Sequence, residues 1–269
     1  MKEQARKLEK AIIKTYRKDI WSKFVKAIKT FNLIEDGDRV LVAMSGGKDS
    51  FLLAKLMQEL LKHPLVDFEV VFVSMDPGYS DGDMGLLKHT ADLLDIDVHI
   101  EPYNIFKVVN EISKDYPCYM CARMRRGFLY SMAEKYDCNK MALGHHFDDV
   151  IETTLLNLFY TGSFKTMLPK IRSKNFKGID LIRPMYFIKE KAVINIMESN
   201  EIYAMDCGCD VAAGKTASKR EEIKDLIKTL RAMHKDIDKS IFRAADNVNL
   251  DNLLGWEKDG KKFHFDDEE

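Results

Sequence analysis

The chain's most constraining feature is a short apolar run that leads directly into small and charged residues. Arg39–Met44 reads RVLVAM, a strand-type run, and it enters Ser45-Gly46-Gly47-Lys48-Asp49-Ser50. A helical stripe follows at once, carried by Leu52, Leu53, Leu56, Met57, Leu60 and Leu61, and Pro64 closes it. A strand, a glycine turn and a helix in that order expose backbone N–H groups at a helix N-terminus, where partial positive charge collects. Gly46 and Gly47 permit the sharp turn, Ser45 and Ser50 offer hydroxyl donors, and Lys48 adds a full charge. The combination suits an anion such as pyrophosphate. The spacing is neither G-x-x-x-x-G-K-[ST] nor G-x-G-x-x-G.

The rest of the chain keeps the alternation. Glu69–Met75 (EVVFVSM) reads as a second strand ending in Asp76-Pro77-Gly78, Leu86–Leu94 as a helix, and Val98–Glu101 as a third strand. The segment after Cys121 is helical in pattern to about Tyr136. Lys140–Leu143 is a fourth strand running into Gly144-His145-His146, and Ile151–Tyr160 is a helix. Strands alternating with helices predict βαβ crossovers, hence an α/β fold with a mainly parallel sheet buried on both faces. Ahead of this, residues 5–31 predict one long amphipathic helix. Ile12, Ile13, Tyr16, Ile20, Phe24, Ala27, Ile28 and Phe31 recur at spacings of three and four. Residues 163–180 read as a loop or hairpin, residues 218–234 as a helix, and the acidic end as a loosely held tail.

Composition is that of a globular chain: 269 residues, 46% hydrophobic and 32% charged. No apolar run is long enough to span a membrane, and the charged start has no signal-peptide pattern, so a cytoplasmic location is expected. The net charge of −1 hides an uneven distribution. Residues 1–29 carry ten basic and three acidic side chains, and residues 163–191 carry eight and two. The last fourteen carry three basic and six acidic ones. Such clusters are either solvated faces or phosphate-binding surfaces.

Five cysteines, an odd number, argue against a disulfide framework. Cys118 and Cys121 form a C-x-x-C at a helix mouth, and Cys207 and Cys209 a C-x-C much later. Thiolates so grouped suit zinc, a thiol–disulfide switch or an iron–sulfur cluster. Cys138 stands alone and reads as a buried small hydrophobe.

SGGKDS resembles the PP-loop of the ATP pyrophosphatases. The stretch Cys118–Tyr160 is longer and more specific. Its C-x-x-C, the following Arg125-Arg126-Gly127, Ala142-Leu-Gly-His-His-Phe-Asp-Asp149 and Leu156-Asn-Leu-Phe-Tyr160 closely resemble the tRNA 2-thiocytidine synthetase family. Further agreement lies at Arg183-Pro184, Lys189-Glu190-Lys191 and Cys207, over about residues 25–235.

The resemblance implies a Rossmann-like fold of the adenine nucleotide alpha hydrolase type. Residues 1–36 would form an N-terminal helix, 37–215 the PP-loop domain, and 216–269 a helical, RNA-contacting extension with an acidic tail. It implies ATP at Ser45, Gly46, Gly47, Lys48, Asp49, Ser50, Asp76, Gly144 and His145, with Mg²⁺. It also implies a [4Fe–4S] cluster on Cys118, Cys121 and Cys207, although a C-x-C in place of the family's usual second C-x-x-C leaves Cys209 as a rival third ligand. Arg125, Asp148 and Asp149 are the implied catalytic residues. The implied reaction adenylates the C2 oxygen of cytidine 32 in tRNA and replaces it with sulfur, releasing AMP and pyrophosphate. The implied partners are tRNA, a sulfur donor (a cysteine desulfurase or sulfide) and a second copy of the chain. Two other readings compete: a PP-loop enzyme acting on another nucleobase or small-molecule carbonyl, and a non-enzymatic ATP-binding metal or cluster sensor.

Overall fold

The computed structural model describes residues 2–103, 117–205 and 216–267, with the side chains of 117–122 and 216–218 outside the description. Its centre is a six-stranded sheet built from β1 (Asp38–Met44), β2 (Phe68–Asp76), β3 (Val98–Pro102), β4 (Lys140–Ala142), β5 (Lys170–Arg172) and β6 (Asp180–Ile182). The order across the sheet is β3-β2-β1-β4-β6-β5, parallel throughout except for β5, which pairs antiparallel with β6. The sheet and its flanking helices are thus the expected α/β fold.

Strand residues alternate between two buried faces. Leu41, Val71, Val73, Met141 and Leu181 pack with Tyr130, Ala133 and Cys138, which belong to helix α5 (Pro117–Lys135) and the turn after it. Helix α3 (Lys48–Lys62) packs along β1 and β2, and its residues Ser50–Met57 are all buried. Helix α4 (Asp81–Leu93) starts five residues ahead of the expected Leu86, because Ser80 caps it by accepting the Asp83 N–H. The chain runs from β1 out to β2 and β3, then returns to the other side of β1 as β4. That reversal opens a crevice at the carboxyl ends of β1 and β4, where ligands bind in open α/β sheets.

The amino ends of the strands are tied by charge. Lys140, buried on β4, lies 3.2 Å from Asp180 Oδ2, 3.3 Å from Glu35 Oε2 and 3.7 Å from Asp38 Oδ2. Arg172 Nε adds a 3.2 Å bond to Asp180 Oδ1, and Asn139 Nδ2 one of 2.7 Å to Asp38 Oδ1. Strands β1, β4, β5 and β6 therefore share one satisfied ionic knot, at the end of the sheet away from the crevice. A buried charge is tolerable only with partners of this kind.

The N-terminal segment forms α1 (Glu3–Lys10), π-helical turns at Ala11–Thr15 and Arg17–Trp21, and α2 (Ser22–Phe31). The expected long helix is present, widened in the middle: the Tyr16 N–H donates five residues back, to the Ala11 carbonyl at 2.8 Å. Glu9 on α1 accepts from Lys55 Nζ of α3 at 2.8 Å and lies 2.6 Å from Lys62 Nζ. Lys55 is 1% exposed and also donates to Gln58 and to the Leu94 carbonyl.

By packing density the chain divides into two units, residues 1–150 with 168–219, and residues 151–167 with 220–269. Helix α6 (Phe147–Thr161) begins four residues ahead of the expected Ile151, and α7 (Glu190–Ser199) follows β6. Helices α8 (Thr216–Met233) and α9 (Ile237–Ala244) come next, and strands β7 (Gly255–Lys258) and β8 (Lys261–His264) close the chain. Within the second unit Glu152 accepts from Arg220 Nε at 2.9 Å, Tyr160 donates to Glu222, and Arg231 Nε bonds Asp238 at 2.7 Å. The end of the chain, expected as a loose tail, carries a hairpin. Trp256 stacks on Phe263 across it at 5.6 Å between ring centroids, a cross-strand aromatic pair set among charges. No described helix is long and apolar enough to cross a membrane.

The ionic knot sets an acid limit. Burial alone would raise the Asp180 carboxyl, but its bonds to Lys140 and Arg172 outweigh this and hold it below the usual 3.8. A depressed carboxylate stabilises the fold fully above its unfolded value and loses that contribution as pH falls through the folded one. Asp180→Asn should therefore cost about 2 kcal/mol at neutral pH. Thermal melts from pH 7 to pH 3 should show the gap from wild type narrowing only below about pH 4.

Candidate functional site

The turn after β1 is built on two glycines with different tasks. Gly46 has φ +79°, a left-handed conformation that side chains strain to adopt. A Cβ there would meet the Met205 sulfur at 2.4 Å. Gly47 is extended (φ −82°, ψ 162°) and begins α3 as its N-cap residue, with its carbonyl accepting from Ser50 Oγ at 2.8 Å. Its N–H reaches back to Ser45 Oγ at 3.4 Å. The free N–H groups of the first turn of α3 and the dipole of a fifteen-residue helix thus open on the crevice.

Lys48 stands between two carboxylates, 3.3 Å from both Asp49 Oδ2 and Glu190 Oε1. Burial opposes its charge, but the fields of Asp49 and Glu190 outweigh burial and lift its pKa above the usual lysine value. Asp49 is shifted upward chiefly by burial, with His146 and Lys48 acting the other way.

The loop after β4 meets this turn backbone to backbone. A Cβ on Gly144 would lie 3.1 Å from the Asp49 carbonyl carbon and oxygen, so a larger residue would push the Asp49 backbone back by a few tenths of an ångström. His146, 4% exposed, opens α6 through a reciprocal cap. Its N–H donates to Asp149 Oδ2 at 2.9 Å, and its Nδ1 accepts from the Asp149 N–H at 3.4 Å. His146 Nε2 lies 3.9 Å from Asp49 Oδ1 and 4.0 Å from Glu190 Oε1. Asp148 Oδ2 accepts the Glu190 N–H at 2.7 Å and so fixes the start of α7. His145 Nδ1 accepts from Arg183 Nε at 3.3 Å. Burial, reinforced by the charge of Arg126, brings the Arg183 guanidinium down to about 10.

A cavity of about 500 Å³ lies over the phosphate loop, within the usual range for small-molecule sites. Ser45, Gly47, Lys48 and Asp49 form one side of it, Tyr79 and Arg125 contribute to the rest, and Ile194, Met197 and Glu198 of α7 with Ile202–Met205 complete it. The last segment is pinned by two bonds, from the Met205 N–H to the Gly46 carbonyl at 2.9 Å and from Thr90 Oγ1 to the Tyr203 carbonyl at 3.0 Å. Asp76 Oδ1 accepts the Gly78 and Tyr79 N–H groups, both at 2.9 Å. That turn aims the Tyr79 hydroxyl at the Ser45 carbonyl, 3.3 Å away.

Sequence-predicted residues separate into three groups. Ser45, Gly47, Lys48, Asp49 and Arg125 share one cavity, and Gly46 and Ser50 shape its turn. Asp76, Gly144, His145, Asp148 and Asp149 make bonds and contacts that position the surrounding loops and helix starts. The side chains of Cys118 and Cys121, and all of Cys207 and Cys209, lie outside the described residues. Cys138 is buried, and burial pushes its thiol up to about 11, as expected of a small core residue. Three contributors were not among the predicted site residues, although Glu190 lies in the Lys189-Glu190-Lys191 match to the family. Glu190 meets Lys48 across 142 residues of chain, and Tyr79 and Met205 act through a hydroxyl and a backbone N–H.

The fold and this loop define a nucleotide-binding protein of the PP-loop class, and the PP-loop domain family matches residues 17–207. The tRNA-cytidine(32) 2-sulfurtransferase of Geotalea uraniireducens is 38% identical over 233 residues, 85% of this chain and 91% of that one. That of Geobacter metallireducens is 36% identical over 247 residues, 91% and 95%. The chain belongs to the tRNA-cytidine(32) 2-sulfurtransferase family. Among solved structures, the U34-tRNA thiolase of Methanococcus maripaludis with its [4Fe–4S] cluster shares the fold (TM-score 0.68, 22% identity, 84% of this chain and 76% of that one).

Gly46→Ala combines a strained φ with a collision against Met205, a residue that also holds the loop through its N–H. It should weaken ATP binding at least about tenfold, the equivalent of ~1.4 kcal/mol, by isothermal titration. A variant that binds ATP as tightly as wild type would mean the loop does not cradle the nucleotide.

Proposed function

We propose that the chain is an ATP-dependent tRNA thiolase that converts cytidine 32 to 2-thiocytidine. The observation that carries this reading is the single cavity shared by the phosphate loop and Arg125, in a chain of this family. Arg125 comes four residues, about one turn, after Cys121 in α5. Met205, bonded to Gly46, stops two residues short of Cys207. Two residues of chain span at most about 7 Å. A donor set of three thiols from two segments that border one cavity fits an iron–sulfur cluster with an open iron.

ATP is the activating substrate. The N–H groups at the start of α3, Ser45 and Lys48 hold its phosphates, and Lys48 exchanges its carboxylate partners for them. The C2 oxygen of the base attacks the α-phosphorus and pyrophosphate leaves. Arg125 offsets the negative charge that grows on the phosphoryl oxygens. A sulfur nucleophile then adds at C2, and AMP departs with the original oxygen. The cluster, held by Cys118, Cys121 and Cys207, would supply an iron site that carries the sulfur. Among the described residues no group of three His, Cys, Asp or Glu could hold a metal ion. Mg²⁺ therefore enters on the ATP phosphates, with Asp49 the carboxylate at hand. Asp148 and Asp149 serve by holding the starts of α6 and α7 against the site. The reading places the protein in the cytoplasm as a homodimer, with sulfur supplied by a cysteine desulfurase or as sulfide.

The test is anaerobic purification with optical spectroscopy, followed by nucleoside analysis of tRNA from a deletion strain complemented with each variant. Cys118→Ala, Cys121→Ala and Cys207→Ala should each bleach the chromophore and abolish 2-thiocytidine, whereas Cys138→Ala should do neither. A chromophore lost in Cys209→Ala and kept in Cys207→Ala moves the third ligand. Normal 2-thiocytidine in the deletion strain rules the activity out.

A further inference from the structure

The N-terminal helical segment repeats every four residues on two opposite faces. Leu8, Ile12, Ile20, Phe24 and Ile28, at most 3% exposed, form one row, with Tyr16 completing the series. Tyr16 donates to the Asn195 carbonyl of α7, and its hydroxyl also lies 3.1 Å from Ser199 Oγ. Two positions out of phase stand Arg6, Lys10, Lys14 and Lys18, all exposed.

In a regular α-helix a period of four overshoots each turn by about 40°, so both rows would wind around the axis. The wider turns at Ala11–Thr15 and Arg17–Trp21 drift the other way. Alternating the two kinds of turn keeps each row straight. The buried row confirms this, because its members from Leu8 to Ile28 all face the protein. The cations therefore stand in a line at regular four-residue intervals.

Four other cations of the segment are already engaged, and Arg17 and Lys29 are exposed outside the row. Lys2 pairs with Asp92, Lys7 with Glu201 and Lys23 with Asp19, and Lys26 sits over the Phe187 ring. No side-chain partner holds Arg6, Lys10, Lys14 or Lys18 among the described residues. The acid Glu9 is turned inward and neutralised by Lys55 and Lys62.

We infer that this straight row of four cations is a docking rail for the phosphate backbone of the RNA substrate, an inference that rests on the thiolase reading above. Charge selects the occupant: a row of evenly spaced, unpaired cations with no apolar side chain free to insert suits a repeating anion. The apolar face of the segment is spent on α3 and α7, which leaves nothing to enter a lipid bilayer. The rail also lies one helix away from the reaction site, since α7, to which Tyr16 bonds, supplies Ile194, Met197 and Glu198 to the cavity wall. Phosphates bound on the rail anchor the RNA body while one nucleotide enters the cavity.

The experiment measures binding of bulk tRNA to the full holoenzyme by fluorescence anisotropy from 50 to 300 mM salt. The variant is Arg6→Ala/Lys10→Ala/Lys14→Ala/Lys18→Ala. Its slope of log affinity against log salt should be shallower than wild type by about 3. The KM for tRNA should rise at least about tenfold, with kcat and ATP affinity unchanged. The charge-keeping set Arg6→Lys/Lys10→Arg/Lys14→Arg/Lys18→Arg should restore both, and Lys2→Ala/Lys7→Ala should leave the slope as it is. An unchanged slope in the quadruple variant overturns the rail while leaving the thiolase reading intact. So does a wild-type chain that binds phosphatidylserine vesicles through these four residues and tRNA without them. A wild-type chain that binds RNA through the rail but forms no 2-thiocytidine overturns the thiolase reading and leaves the rail standing.

Discussion

The site depends on backbones coming closer than side chains allow. Gly46 and Gly144 are two places where such close approach occurs at the turn after β1, against Met205 and in the loop after β4. Where no Cβ stands between them, backbone groups can meet and hydrogen-bond directly. The Met205 N–H on the Gly46 carbonyl is the clearest case. Because of it, the wall carrying Ile202–Met205 and the loop that faces phosphate are held as one piece. Helix α7 joins them through Asp148, whose carboxylate holds the Glu190 N–H.

Charge is divided along the length of the sheet. At the amino ends of the strands, Lys140, Lys170 and Arg172 offset Asp38, Asp180 and Glu35 and contribute stability. At the carboxyl ends, Lys48 and His146 each lie within 4 Å of both Asp49 and Glu190 but leave an open cavity beside them. The same residue types hold the fold at one end and stay available to a ligand at the other. The difference is exposure: Lys140's side chain is 6% exposed and Lys48's is 34%.

Much of this was legible in the residues. SGGKDS between an apolar run and a leucine stripe specified β1, its turn and α3, because each piece needs the next to bury its apolar side. Strand β6 was not legible, since Asp180–Ile182 supplies only three residues and its parallel partner β4 lies forty positions away. The hairpin at the end of the chain was masked by the charges around Trp256 and Phe263. The π-helical turns carry no residue-type signal of their own, since Ala11–Thr15 and Arg17–Trp21 are composed like ordinary helix. Glu190 was noticed as part of a basic-acidic-basic triplet, but its meeting with Lys48 arises only from the route of the chain across the sheet.

The double pairing of Lys48 bears on turnover. A lysine awaiting its anion alone would hold the first triphosphate tightly and the departing diphosphate almost as well. Here Asp49 and Glu190 flank the ammonium from the start. Any anion arriving must displace them, and they are ready to reclaim the cation when bond cleavage frees the smaller fragment. Grip is thereby exchanged for release, and the same pair of carboxylates resets the site.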